Sequence, residues 1–190
     1  MNFTRTLKQG ALEPVTLAEA KLHCRVDGSD DDALIAALIV AARQLCESVA
    51  RLSVAQQVCT LKLDGFPAGE IRLPGGPVSS ITSVVYLDIA GQSQTLGAPS
   101  YQVDKDSNTA RVLPAPGTSW PSTQSEAVNA VTVTYEAGWA QGSVPQAIKH
   151  WVLLHVAHYH RHREAMSADS LAALPLLDGL LDPWRVWAIN

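Results

Sequence analysis

Two changes of apolar period along the 190-residue chain constrain its fold more than any other feature. Before Leu52 the apolar residues recur every three or four positions, from Ala55 to Trp139 they alternate, and after Pro145 the helical spacing returns. Alternation buries one face of a pleated strand, and spacing of three and four buries a stripe along a helix. The pattern therefore predicts an α+β fold. A helical core (a short N-terminal helix, a long central helix and a long C-terminal helix) carries an inserted antiparallel β region of hairpins, residues 55–139, between the long helices. With 47% hydrophobic and 17% charged residues, residues 1–190 have the make-up of a single globular domain with a sizeable core.

The helical boundaries are marked by capping chemistry. Thr16 and Glu19 form a Thr-x-x-Glu capping box that opens a short helix over Leu17 to Arg25, ended near Asp27-Gly28. Ser29 or Asp30 is the expected cap of the next helix, with Asp31 and Asp32 supplying negative charge at its N-terminus. That central helix has two apolar stripes: Leu34, Leu38, Ala41, Leu45, Val49 and Leu52 form one, and Ile35, Ile39, Ala42 and Cys46 form the other. One core contact needs only one stripe. Either the helix is buried on two sides in its own domain, or it packs between subunits.

In the β region, Gln57 to Asp64 alternates, Glu70 to Leu73 is a second short run, and Pro74-Gly75-Gly76-Pro77 ends it. Ile81 to Ile89 reads as a strand with a turn at Ala90-Gly91, Tyr101 to Asp104 with Ala110 to Leu113 as a hairpin, and Val131, Val133 and Tyr135 as the final strand. Pro114 to Ala127 reads as a long loop whose Trp120 packs back on the sheet. Ser143 and Pro145 then start the last helix, expected to run to about Glu164.

Composition narrows the function classes. Three cysteines, Cys24, Cys46 and Cys59, cannot all pair within one chain and form no Cys-x-x-Cys, which points to a reducing cytosol and away from a disulfide framework. The longest apolar run, Ala33 to Ala42, is short of the roughly 20 residues that span a bilayer, and the N-terminus carries no apolar leader, so a soluble, unexported chain without a membrane partner is expected. Fourteen basic residues scattered among 18 acidic ones make no phosphate-gripping stripe.

The last helix carries the one constellation that suggests chemistry. In HVAHYHRHREA, His155, His158 and His162 are spaced i, i+3, i+7, and His158 with His162 has the His-x-x-x-His spacing of a metal-binding helix. The site is incomplete: Tyr159 follows His158 where a hydrolase would place a glutamate base, and Arg161 and Arg163 add positive charge. A solvated polar helix end, a protonation switch and a metal site are the three readings, the first fitting best, while His155 falls in the buried stripe with Ile148, Trp151, Val152 and Tyr159. No Gly-x-Ser-x-Gly elbow, Walker loop or Gly-x-Gly-x-x-Gly occurs, and the acidic run from Asp27 to Asp32 has its glycine second, unlike an EF-hand loop. Neither an enzyme nor a cofactor is expected.

Taken in order, AARQLCESVARLSVAQQ, LPGGPVSSITSVVYLDIAG, YQVD leading to ARVLPAPGTSWP, VTVTYEAGWA and VPQAIKHWVLLHVAHYHRHREA make a specific series. Over roughly residues 12–187 the chain resembles the head-tail connector proteins of long-tailed bacteriophages and prophages, with Tyr159, Arg163 and Glu164 carrying the match in the last helix. The resemblance implies a non-catalytic adaptor, a homo-oligomeric ring commonly of twelve subunits. It would dock under the portal vertex of a DNA-filled head, offer a surface to the stopper or tail, and let double-stranded DNA pass without binding it. Such a protein is made in the host bacterial cytoplasm and ends at the head-tail junction of the virion. The expected subunit interface is Leu34, Ile35, Leu38, Ile39, Leu45, Cys46, Trp151, His155 and Tyr159. The competing readings are a monomeric binding domain and a metal-dependent hydrolase.

The tail, residues 174–190, returns to large apolar side chains after a small-residue linker. Leu180, Leu181, Trp184, Arg185, Trp187 and Ile189 are the expected portal contacts, since Trp and Arg dominate interface hot spots. The alternative is that the tail folds back on its own domain.

Overall fold

A computed structural model describes residues 1–106, 109–162 and 179–186. The chain is α+β, as its change of period requires. It buries two separate apolar clusters, in a sheet unit made of the described residues of Met1–Gln9 and Gln56–Gly138 and a helical unit made of Gly10–Ala55 and the described residues from Trp139 onward.

In the sheet unit, β1 (Asn2–Leu7), β2 (Gln57–Leu63), β4 (Val78–Leu87), β5 (Ser93–Thr95) and β8 (Val131–Ala137) form an antiparallel sheet in the order β1-β2-β8-β4-β5. A second sheet has the order β3-β7-β6, from β3 (Ile71–Arg72), β6 (Tyr101–Asp104) and β7 (Arg111–Pro114). Alternation is clearest in β8, where Val131, Val133, Tyr135 and Ala137 are buried and the residues between them are half-buried. Register sets Tyr135 opposite both Cys59 and Ile81, so the buried rows of neighbouring strands coincide. The Tyr135 hydroxyl donates to the carbonyl of Pro74. Trp120 packs back as expected: its indole N–H donates to the Gly69 carbonyl at 2.7 Å, and its ring stacks on Phe66 with centroids 4.9 Å apart.

The strand β1 was not expected from the sequence. Its alternate residues are Asn, Thr, Thr and Phe, Arg, Leu, too polar and too short to announce a strand. It is held by antiparallel pairing to all of β2, from Asn2 opposite Lys62 to Leu7 opposite Gln57.

The helical unit contains α1 (Leu17–Cys24), α2 (Asp32–Ala50) and α3 (Gln146–Arg161). The capping box is present: the Glu19 N–H donates to the Thr16 hydroxyl at 3.1 Å, and the Thr16 N–H donates to the Glu19 carboxylate at 2.7 Å. Arg25 ends α1 in the left-handed region, φ 58°. The start of α2 differs from expectation, because Ser29 and Asp30 lie in the turn before it and Asp31 is the N-cap, without a side-chain capping bond. Residue 164, the expected end of the last helix, lies outside the described residues.

By length and composition α2 is apolar enough to cross a membrane. It is instead a core helix, whose Ile35, Ile39, Ala42, Cys46 and Ala50 pack with Ile148, Trp151, Val152 and Val156. It also buries a charged network. Arg43 donates to Glu13 at 2.7 Å and to Glu47 at 2.8 Å. The Val54 N–H donates to the second Glu47 oxygen at 2.9 Å, and the Gln141 amide donates to the Glu13 carbonyl at 2.8 Å. These bonds tie the stretches around residues 13, 54 and 141 to α2.

Candidate functional site

The two stripes of α2 have different fates. Ile35, Ile39, Cys46, Trp151 and His155 are buried inside the helical unit. They were expected at a subunit interface, and that expectation is corrected: their partners are side chains of their own unit, so no neighbour reaches them without opening the core. The other stripe stays on the surface. Leu34 is 38% and Leu45 36% exposed, Leu38 is half-buried between them, and Ala37 and Ala41 are exposed on the same side. Tyr159, on α3, is half-buried. Of the expected interface, Leu34, Leu38, Leu45 and Tyr159 therefore remain accessible. Residues 34, 38, 41 and 45 follow the helical repeat, so this is a continuous apolar strip on a rigid helix.

The histidines do not act as one group. His155 Nδ1 lies 2.9 Å from the Trp151 carbonyl, and its ring stacks on the Trp151 indole with centroids 3.6 Å apart. It is a hydrogen-bonded core residue. His158 and His162 have ring centroids 5.0 Å apart. His160, which the sequence does not single out, lies 3.0 Å from a carboxylate oxygen of Asp31 and so joins the end of α3 to the start of α2. Among the described residues no three His, Cys, Asp or Glu side chains gather as a metal-binding group.

The tail divides at its middle. Leu181 is fully buried in the helical core and Leu180 packs against it. The Val186 N–H donates to the Ala50 carbonyl at 3.1 Å. Leu181 is thus corrected from a partner contact to a core residue: an isobutyl side chain in its own core is not available to another protein. Trp184 remains 39% exposed, edge-to-face with Trp139 at 5.9 Å between centroids, and Arg185 lies 3.5 Å from Asp182. Trp187 and Ile189 lie outside the described residues. The role of Trp139 as a seat for the tail was missed, because two aromatics so far apart in sequence give no local signal of contact.

The apolar strip on α2 and the tail seated through Leu181 with Trp184 exposed are the two features of the helical unit that offer contact surface. A family model of phage gp6-like head-tail connector proteins matches residues 14–185. The chain belongs to that family. It is a structural head-tail connector and not an enzyme.

No curated protein sequence matches the connector. Chains of several solved assemblies share its fold, three of them as follows. A chain in the neck of an empty gene transfer agent (GTA) particle, computed with C6 symmetry, is 21% identical with a TM-score of 0.82, covering 100% of the connector and 98% of that chain. A chain in the virion of a native GTA particle is 20% identical with a TM-score of 0.81, at the same coverage. A chain in the neck of a native GTA particle, computed with C12 symmetry, is 20% identical with a TM-score of 0.79, again covering 100% and 98%.

Proposed function

We propose that the connector forms a closed ring at the head-tail junction of a phage or phage-like particle. Twelve copies, the order of the C12 neck of the similar GTA particle, sit under the portal vertex, present a surface to the stopper or tail, and surround the DNA path. The observation that carries this reading is the apolar strip Leu34, Leu38 and Leu45, left exposed on α2 after the helical unit has filled its own core. A repeated head-to-tail contact made by one such strip closes without a free edge. The net charge of −4 suits a conduit that lets DNA pass without holding its phosphates. The portal contact falls to Trp184 and Arg185, together with Trp187 and Ile189 beyond the described residues.

Replacing both Leu34 and Leu45 with Asp tests this. Neither side chain is buried in the subunit, so circular dichroism should be unchanged while rings disappear in electron microscopy and sedimentation shows monomers. Rings that persist at wild-type concentration would remove α2 from the interface. For the portal, removing residues 187–190 spares the buried Leu181, and loss of portal pull-down with an intact ring is the expected result.

A further inference from the structure

The histidines at the end of α3 are a motif to which the connector's fold and contact surfaces give no role. Two of them are engaged within the helical unit, His155 by the Trp151 carbonyl and ring and His160 by Asp31. His158 and His162 are left side by side, half-buried, with ring centroids 5.0 Å apart and planes tilted by 40°. Among the described residues neither imidazole makes a hydrogen bond or an ion pair, and the further ring contact of His158 is an edge-on one with Tyr159. Four residues are about one turn of helix, so the two rings lie on one side of α3. The helical bond pattern reaches this far, because the His162 N–H donates to the His158 carbonyl at 2.9 Å. The backbone therefore sets the spacing of the pair.

That spacing suits a shared ion. A metal about 2.0–2.1 Å from an imidazole nitrogen lies about 3.2 Å from the ring centroid. Two imidazoles bound to one ion at angles between square and tetrahedral then have centroids about 4.5–5.2 Å apart. The observed 5.0 Å falls within this range. The other histidine pair, His23 with His150, is 6.1 Å apart and at right angles, and falls outside it.

The surroundings favour a cation as well. The last turn of a helix leaves carbonyl groups unpaired and carries the negative end of its dipole. Arg161, between the two histidines in the chain, is exposed, so water screens its charge. Imidazole ligands without a carboxylate select a borderline ion such as zinc, nickel or copper over magnesium or calcium, which take oxygen ligands. The pair has neither the glutamate base nor the third protein ligand of a hydrolase, and a brace needs neither: an ion held by residues one turn apart cross-links that turn.

We propose that His158 and His162 bind a late first-row divalent cation through two imidazoles, with water in its remaining positions, and that the ion staples the last turn of α3.

Zinc chloride titrated into the full-length connector, followed by histidine ring proton resonances and by calorimetry, tests the site. The His158 and His162 resonances should shift together in one saturable step while those of His160 stay in place, and magnesium chloride at the same concentration should move neither. His158→Gln and His162→Gln keep polarity without ligation. Each should weaken zinc binding at least tenfold with circular dichroism unchanged, whereas His160→Gln should leave it within twofold. Equal weakening by all three variants would assign zinc to the histidine-rich surface at large and overturn the site, and so would ring shifts confined to His23 and His150. The staple has its own measurement: zinc should slow exchange of the His162 amide at least fivefold in wild type and not in His158→Gln. Zinc binding without that slowing overturns the staple. None of these measurements requires the ring, so they stand apart from the head-tail reading.

Discussion

The helical unit buries charge and the sheet unit does not. Among the described residues, the buried charged side chains are Arg43 and Glu47, both on α2. The largest buried polar side chain of the sheet unit, Tyr135, needs only one carbonyl, that of Pro74. The difference follows from how each unit closes its main chain. Strands satisfy one another's peptide groups along the ladder, whereas helices leave orphan groups at their ends and in the segments that join them. Glu47 meets one of these, the Val54 N–H, and Arg43 makes the burial of that carboxylate tolerable.

If that contrast is right, its sharpest break is Arg43→Ala. The substitution strands a buried Glu47 and should cost about 3–5 kcal/mol, read as an earlier loss of helical circular dichroism in urea. The double variant Arg43→Met with Glu47→Leu removes both charges and should recover much of that loss. Arg111→Ala is the matching control in the sheet unit. Its side chain is paired with Glu70 and Asp104 but 43% exposed, and solvent screening should leave the urea midpoint essentially unmoved.

A smaller effect is expected at the buried Tyr135 hydroxyl of the sheet core. Tyr135→Phe leaves the Pro74 carbonyl without its donor and should cost about 1–3 kcal/mol, confined to sheet-unit amides in hydrogen exchange. Burial pushes the Tyr135 phenol well above its ordinary range, so it stays protonated and the loss should be the same at pH 6 and pH 9.

The smallest effect sharpens the comparison at a helix end. Thr16→Ala removes the N-cap of α1 and should cost about 1 kcal/mol. The Glu19 carboxyl is held below its usual range, first by the Thr16 backbone N–H and then by the Thr16 hydroxyl. A carboxyl depressed on folding contributes stability above its unfolded value near 4.3 and loses it as pH falls through the lower folded value. The difference between wild type and Thr16→Ala in thermal midpoint should therefore be full at pH 6 and shrink below about pH 4. A difference that is constant down to pH 3 would remove the Thr16 hydroxyl as a cause of the lowered Glu19 carboxyl.

Local chemistry was legible wherever the signal is local. The capping box needs only Thr16 and Glu19, and the α+β class needs only the spacing of apolar residues. The two stripes of α2 were also visible, but which of them the subunit keeps for itself was not, because Leu34 and Ile35 are equally apolar and the packing of other elements, α1 and α3 among them, decides between them. The same limit hid the His160 contact with Asp31, 129 residues away, and the burial of Leu181. In each case the partner lies in another element, and nothing in the neighbouring sequence records it.

The sequence by itself determined the class of the fold, the start of its first helix, the lack of a recognisable catalytic motif and, through an ordered series of motifs, the connector family. Those depend on period, capping and short motifs, which are properties of neighbours along the chain. Tertiary structure alone decided that Ile35 and Cys46 are core while Leu34 and Leu45 are surface, that the tail is anchored at Leu181, and that a polar N-terminal segment becomes β1. Burial is a property of whole faces brought together, and a strand such as β1 exists through the ladder of its partner, so neither can be read from a stretch of chain taken alone.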